Sequence, residues 1–127
     1  MPIGVGTQMN RILDREHIIE DQEFLSREEI TVGPLTARAE PGSLMAIKTS
    51  DSKYYPHAPA AADGTQNAKG ILLDGLDIST ADQKGVINNR HTVANGKKIT
   101  FASGITGPQK TAAIAALADL GVLIRQA

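Results

Sequence analysis

The chain contains no cysteine and no tryptophan. Without thiols, neither a disulfide framework nor a thiolate metal site can hold the fold. Aromatic residues make up 3% of the sequence and amount to Phe24, Tyr54, Tyr55 and Phe101. Long apolar runs are missing too. The longest, "AAIAALADLGVLI" (112–124), is broken by Asp119 and Gly121 and is too short to span a bilayer. Residues 1–20 lack the basic start and apolar centre of a signal peptide, so export through a cleaved signal is not expected. Nor is there a surplus of positive charge. The formal net charge is −1, and Lys97-Lys98 is the one adjacent basic pair. A protein that grips phosphates carries a basic face, so direct contact with nucleic acid is not expected, and neither is a membrane.

Catalytic patterns are absent as well. His17, His57 and His91 are scattered and fall in no metal-ligand spacing. "GVGTQM" lacks the third glycine of a dinucleotide loop, and "DGTQNAKG" lacks the Gly-Lys-Ser/Thr ending of a phosphate loop. No G-x-S-x-G elbow exists; Ser103 in "ASGIT" resembles one only superficially. Asp74 and Asp77 follow a short apolar burst, "ILLDGLD". Residues three apart on a strand face opposite ways, and if Gly75 turns the chain, both carboxylates lie where Asp bonds local N–H groups. No aromatic wall stands nearby to push two pKa values apart. The pair reads as structural. No catalytic residue, cofactor or metal ligand is assigned. The enzymatic alternative is a small metal-dependent hydrolase or ligand-binding domain using His57, Asp63 and Asp74 on neighbouring loops.

What is present points to one small domain. Of 127 residues 41% are hydrophobic, and 17 of those are alanines. Small side chains remove little area from water, at roughly 25 cal/mol per Å², so the core is thin and self-association is expected. Composition changes at Gly33-Pro34. Residues 1–33 carry three Arg and seven acids, whereas residues 34–127 carry ten Lys/Arg and seven acids. In the first segment Met9, Ile12, Leu13, Glu16 and Ile19 share a rough helical stripe, and Ile30-Thr31-Val32 reads as a strand stopped by Gly33-Pro34. This divides the chain into an arm, 1–33, and a body, 34–127.

In the body, "GSLMAIKTSDSKYYP" (42–56) predicts two strands around Ser50-Asp51-Ser52, and "GILLDG" (70–75) a buried strand. "STADQKG" (79–85) predicts one helical turn capped by Ser79 or Thr80. "VINNRHTVANGKKITF" (86–101) predicts a hairpin about a type I′ Asn95-Gly96 turn, with Val93 opposite Lys98 and Thr92 opposite Ile99. At the end, Pro108 opens a helix whose apolar face is Ala113, Ile114, Leu117 and Leu120; Gly121 stops it and a "VLI" strand follows. The predicted class is α+β, mostly β: a small compact domain with one C-terminal Ala-rich helix and an extended N-terminal arm.

Together, "SKYYPHAPAAADGTQNAKGILLDGLDISTADQKGVI", "HTVANGKKITFASG" and "QKTAAIAALADLGVLIR" resemble the lambda-type head decoration proteins of tailed bacteriophages. The resemblance covers about residues 34–126 and is carried by Asp63-Gly64, Gly70-Ile71-Leu72 and the Ala-rich helix with Ile114 and Leu117. It implies a non-enzymatic homotrimer on the outer surface of the virion capsid. Such a trimer sits at three-fold sites of the major capsid protein and holds the shell against packaged-DNA pressure. It also implies an N-terminal arm that adds to the capsid protein's sheets. Ile30, Thr31, Val32, Pro34 and Leu35 are the expected capsid-binding residues, and residues 1–33 are expected to carry affinity but little of the body's stability.

Overall fold

Leu44-Met45 and Ile71-Leu72 are adjacent apolar pairs, and successive side chains of a strand point to opposite faces. Both members of each pair are buried, so these strands are covered on both sides. That requirement organises the molecule. The computed structural model describes residues 17–21 and 23–125. In chain order the elements are β1 (Ile18–Glu20), α1 (Glu23–Ser26), β2 (Arg27–Val32), β3 (Leu44–Ile47), β4 (Tyr54–Pro56), β5 (Ala68–Leu72), β6 (Gln83–Asn88), β7 (Thr92–Asn95), a 3₁₀ turn (Gly96–Lys98), α2 (Gly107–Asp119) and β8 (Val122–Arg125).

Five strands close into a barrel in the order β2-β4-β3-β5-β6, and β1, β7 and β8 form a separate three-stranded sheet. All barrel pairs are antiparallel except β2–β4, where Val32 meets Tyr54. Inside the barrel lie Ile30, Val32, Met45, Leu72 and Ile87, with Leu35 and Ala39 plugging one end. The outer faces of β3 and β5 carry Leu44, Ala68 and Ile71. These meet Ala94, Ala113, Leu117 and Val122 from the second sheet and α2, forming a second core. One wall thus serves two cores, which is why its strands read as continuous apolar runs rather than alternating ones. Alanine supplies much of the second core, as the composition foretold, and no helix among the described residues is long and apolar enough to cross a membrane.

The mostly β class, the two strands within 42–56 and the C-terminal helix–strand unit form as expected, while the strand expected at 70–75 runs from Ala68 to Leu72. Thr106 caps α2 by accepting from Gln109 N, Gln109 returns the bond in a capping box, and Gly121 takes the left-handed stop at φ 91°. The expected apolar face is narrower: Ala113 and Leu117 are buried and Ile114 is half-buried. Leu120, just beyond the helix end, stays 39% exposed.

Three local expectations give way to long-range pairing. Asn95-Gly96 makes no hairpin: Asn95 has φ −87°, and its side chain accepts from Lys97 N to cap the 3₁₀ turn. Both edges of β7 are taken, by β1 antiparallel and β8 parallel, so Thr92 meets Val122 rather than Ile99 and Val93 meets Leu123 rather than Lys98. Residues 79–85 form no helix; Ser79 Oγ accepts from Ala81 N in a local turn, and Gln83 already belongs to β6. The helical stripe ends differently as well. Ile18–Glu20 is a strand, while Met9, Ile12, Leu13 and Glu16 lie outside the described residues.

The division at Gly33-Pro34 is also redrawn. β2 pairs with β6 over six residues, from Arg27↔Asn88 to Val32↔Gln83, and is a barrel stave. Asp21 fastens the preceding segment by accepting from Arg27 Nε at 2.9 Å and Asn88 Nδ2 at 2.6 Å. Arg27–Val32 is thus part of the barrel, and Asp21 is tied to it.

Candidate functional site

Five residues were expected to bind a partner through the arm. Ile30 and Val32 do alternate with Thr31, as an added strand would, but their side chains fill this chain's own barrel. Leu35 is buried beside them, bonded through its backbone to Ser79 at 2.9 and 3.2 Å. Thr31 is half-buried and Pro34 exposed. One edge of the strand is paired with β6 along all six residues, and the other meets β4 at its end, where Val32 lies opposite Tyr54.

The other candidate set, His57, Asp63 and Asp74, has no common purpose in the structure. His57 is buried; its Nε2–H donates to the Gln66 carbonyl at 3.0 Å, and Nδ1 finds no partner. The ring lies between a groove of about 480 Å³, walled by Pro34, Arg38, Tyr55 and Phe101, and a smaller recess of about 120 Å³ beside Gln109. Asp63 is exposed and works locally. It accepts from Thr65 Oγ1 and Thr65 N, and these two bonds, the side-chain one foremost, hold its carboxyl below the ordinary carboxylate value. Gly64 beside it has φ +103°, and an added Cβ would stand 2.6 Å from the Ile47 carbonyl. Asp74 is exposed in the turn after β5, and Asp77 accepts from Ile78 N at 2.9 Å, the local use expected of a turn Asp. Among the described residues no three His, Asp or Glu groups converge on a point where a metal ion could be held.

The remaining fold-defining residues sit where two surfaces meet. Gly70 lies against Ile87, where a Cβ would come within 2.8 Å of its Cδ1, and Ile71 and Leu72 face the two cores. Two features escaped the sequence reading. Gly33 is covered by the Tyr55 ring, whose atoms leave no room for a Cβ. Tyr55 is anchored there by donating to Asp51 Oδ2 at 2.6 Å, with Lys48 Nζ 4.5 Å from the ring centroid. The spacing of Asp51 and Tyr55 across a tight β3–β4 connection was the available signal.

A closed barrel joined to a helix-backed sheet, with many of its polar groups spent on turns, defines a small, mostly β protein. Comparison by sequence places it further. Residues 7–122 match the family described as Bacteriophage lambda head decoration protein D, and the chain belongs to that family. No curated protein matches the chain. The family assignment makes this a structural protein of the phage capsid with a decoration role, and places it in the virion.

Proposed function

We propose that the protein binds the outer face of the mature head as homotrimers at three-fold sites, contacting the major capsid protein, and stabilises the shell against packaged-DNA pressure. The observation that carries this reading is the family match, which spans nearly the whole body and begins ten residues before His17. Because Arg27–Val32 is part of the barrel and Asp21 is tied to it, attachment falls to the segment before them, residues 1–16. An extended segment that adds to a sheet edge gains main-chain hydrogen bonds worth about 0.5–1.5 kcal/mol each, net of water, and loses part of that on ordering. One such arm is a weak ligand. Three on a rigid trimer bind about 10²–10⁴-fold more tightly when their targets repeat with the same symmetry, which a three-fold capsid position supplies.

The test is to mix the purified protein with undecorated mature capsids, sediment them and measure bound copies. Saturation at three chains per three-fold position, with capsids that then survive greater heating, is expected. Binding without saturation, or saturation without any gain in capsid endurance, defeats the reading.

A further inference from the structure

The body leaves large apolar side chains in water, and they are not scattered. Ile19 and Leu123 are each 51% exposed on the three-stranded sheet; Leu25 and Leu120 flank it, and only Ile78, at 61%, lies elsewhere among the large hydrophobics found exposed. The sheet's geometry explains the first two. Ala94, Thr92 and Val122 point into the second core, so Val93 and Leu123, which are directly paired, point outward. On β1 the register slips between Ile18 and Glu20, leaving two residues of β1 opposite one of β7. This bulge places Ile19 in the solvent beside Glu20. The outer face therefore carries an apolar stripe, Ile19–Val93–Leu123, backed by the whole body on its other side.

The edges of this sheet carry the inference further. Among the described residues β1 and β8 each have one strand partner, β7, so each presents an unpaired edge. β1 runs antiparallel to β7 and β8 parallel to it, so the two free edges run antiparallel to each other. An edge strand without a bulge, proline or lysine at its outer rim is a template for another strand; β8, "VLIR", has none of these, and β1 carries its bulge against β7. The edges also differ in charge, with exposed Glu20 on β1 and exposed Arg125 on β8.

We infer that this sheet is the protomer–protomer surface: β8 of one copy pairs antiparallel with β1 of the next, and the Ile19–Val93–Leu123 stripes are buried together. The inference rests on the trimeric reading above and names its interface. A second copy is the occupant because the two edges complement each other in direction and in charge. A head-to-tail contact of this kind closes into a ring when the rotation allows. A capsid partner would need neither property, since it could meet one edge alone. The apolar stripe suits a permanent contact between copies, whose buried centre is depleted in charge.

Two measurements on the full chain test this. Ile19→Glu and Leu123→Glu should each weaken association by roughly 100-fold, the scale of losing a hot-spot contact at every interface, while Ile78→Glu leaves the mass by light scattering unchanged. Circular dichroism and thermal melting report whether each variant is folded. The second measurement does not depend on tolerating a buried charge. Because the chain has no cysteine, Glu20→Cys combined with Arg125→Cys introduces one defined pair. Within one protomer these strands are separated by β7, roughly 9–10 Å or two strand spacings, beyond the ~7 Å reach of a disulfide. Oxidation should give a covalent trimer from the double variant and from neither single variant, since one cysteine joins at most two chains. If the wild type is monomeric at all concentrations, the trimeric reading falls and this inference with it. If the wild type is trimeric but both Glu variants remain trimers and the double variant does not cross-link, the trimer stands and the interface lies elsewhere. Glu variants that stay trimeric yet lose capsid binding would assign the face to the capsid and overturn the inference.

Discussion

Single residues in this protein earn their places mainly through turns. Asp51 shows how. Its carboxylate accepts from Tyr55 Oη and from Lys53 N, and these bonds, the tyrosine's first, lower its pKa. The same bond pushes Tyr55 up to about 12, because ionising the phenol would give up the proton it donates to Asp51, with burial and then the Asp51 charge adding to the effect. Tyr54 is also raised, by burial first and by the Glu28 charge second. With two tyrosines and no tryptophan, absorbance titration resolves both. We expect Asp51→Asn to bring one tyrosine down toward its ordinary value while the other is unmoved; a titration identical to wild type would show that the bond does not form. The signs of linkage follow. Tyr55 is raised when folded, so its contribution is complete below the ordinary tyrosine value of 10.0 and lost as pH rises through about 12. Asp63 is lowered, so its contribution is complete above the ordinary 3.8 and lost as pH falls through its folded value. Gly64 is the strictest position nearby. Alanine there meets both a positive φ and a backbone oxygen, so Gly64→Ala should cost more than about 1 kcal/mol in urea unfolding.

At the scale of elements, the sequence spoke clearly where one strand or helix carried its own signals. Pro108 and Gly121 delimit α2 by local chemistry, and the apolar runs at 44–47 and 70–72 announce strands. It was silent where the partner is remote. Asn95-Gly96 is a strong local hairpin signal, yet β8, nearly thirty residues on, competes for the same edge of β7 and wins. Residues 79–85 could make one helical turn in isolation, but the six residues Gln83–Asn88 pair with β2 and outweigh one turn of propensity. The burial of Ile30, Val32 and Leu35 within this chain was hidden for the same reason. Alternation at 30–32 shows that a strand exists but does not say whose strand it joins. The α2 assignment is open to a sharp check. Leu117 is fully buried between the helix and the second core, so Leu117→Asp should cost more than about 4 kcal/mol, by burying an unpaired carboxylate. Thr106→Ala removes the cap alone and should cost about 1 kcal/mol. Comparable losses from the two substitutions would contradict the burial of Leu117.

At the scale of the whole molecule, the barrel decides which part of the N-terminus can be spared. Composition alone drew the line at Gly33-Pro34 and implied that everything before it could be removed. The pairing of β2 with both β4 and β6 makes that truncation an opening of the barrel, which would expose Met45, Leu72 and Ile87 to water. Deleting residues 1–33 should therefore yield a chain that melts far below wild type or does not fold. Deleting residues 1–16 leaves every described element in place, so its melting temperature should stay close to that of the full chain. The two truncations separate stability from attachment, which a single deletion at residue 33 would confound. On undecorated capsids the shorter deletion should lose most of its occupancy under the proposed function, because a trimer attached by three arms would give them up at once, and with them the avidity on which weak arms depend. If the trimer lacking residues 1–16 decorates capsids as tightly as the full chain, the affinity resides on the body, and the arms contribute nothing to holding the shell.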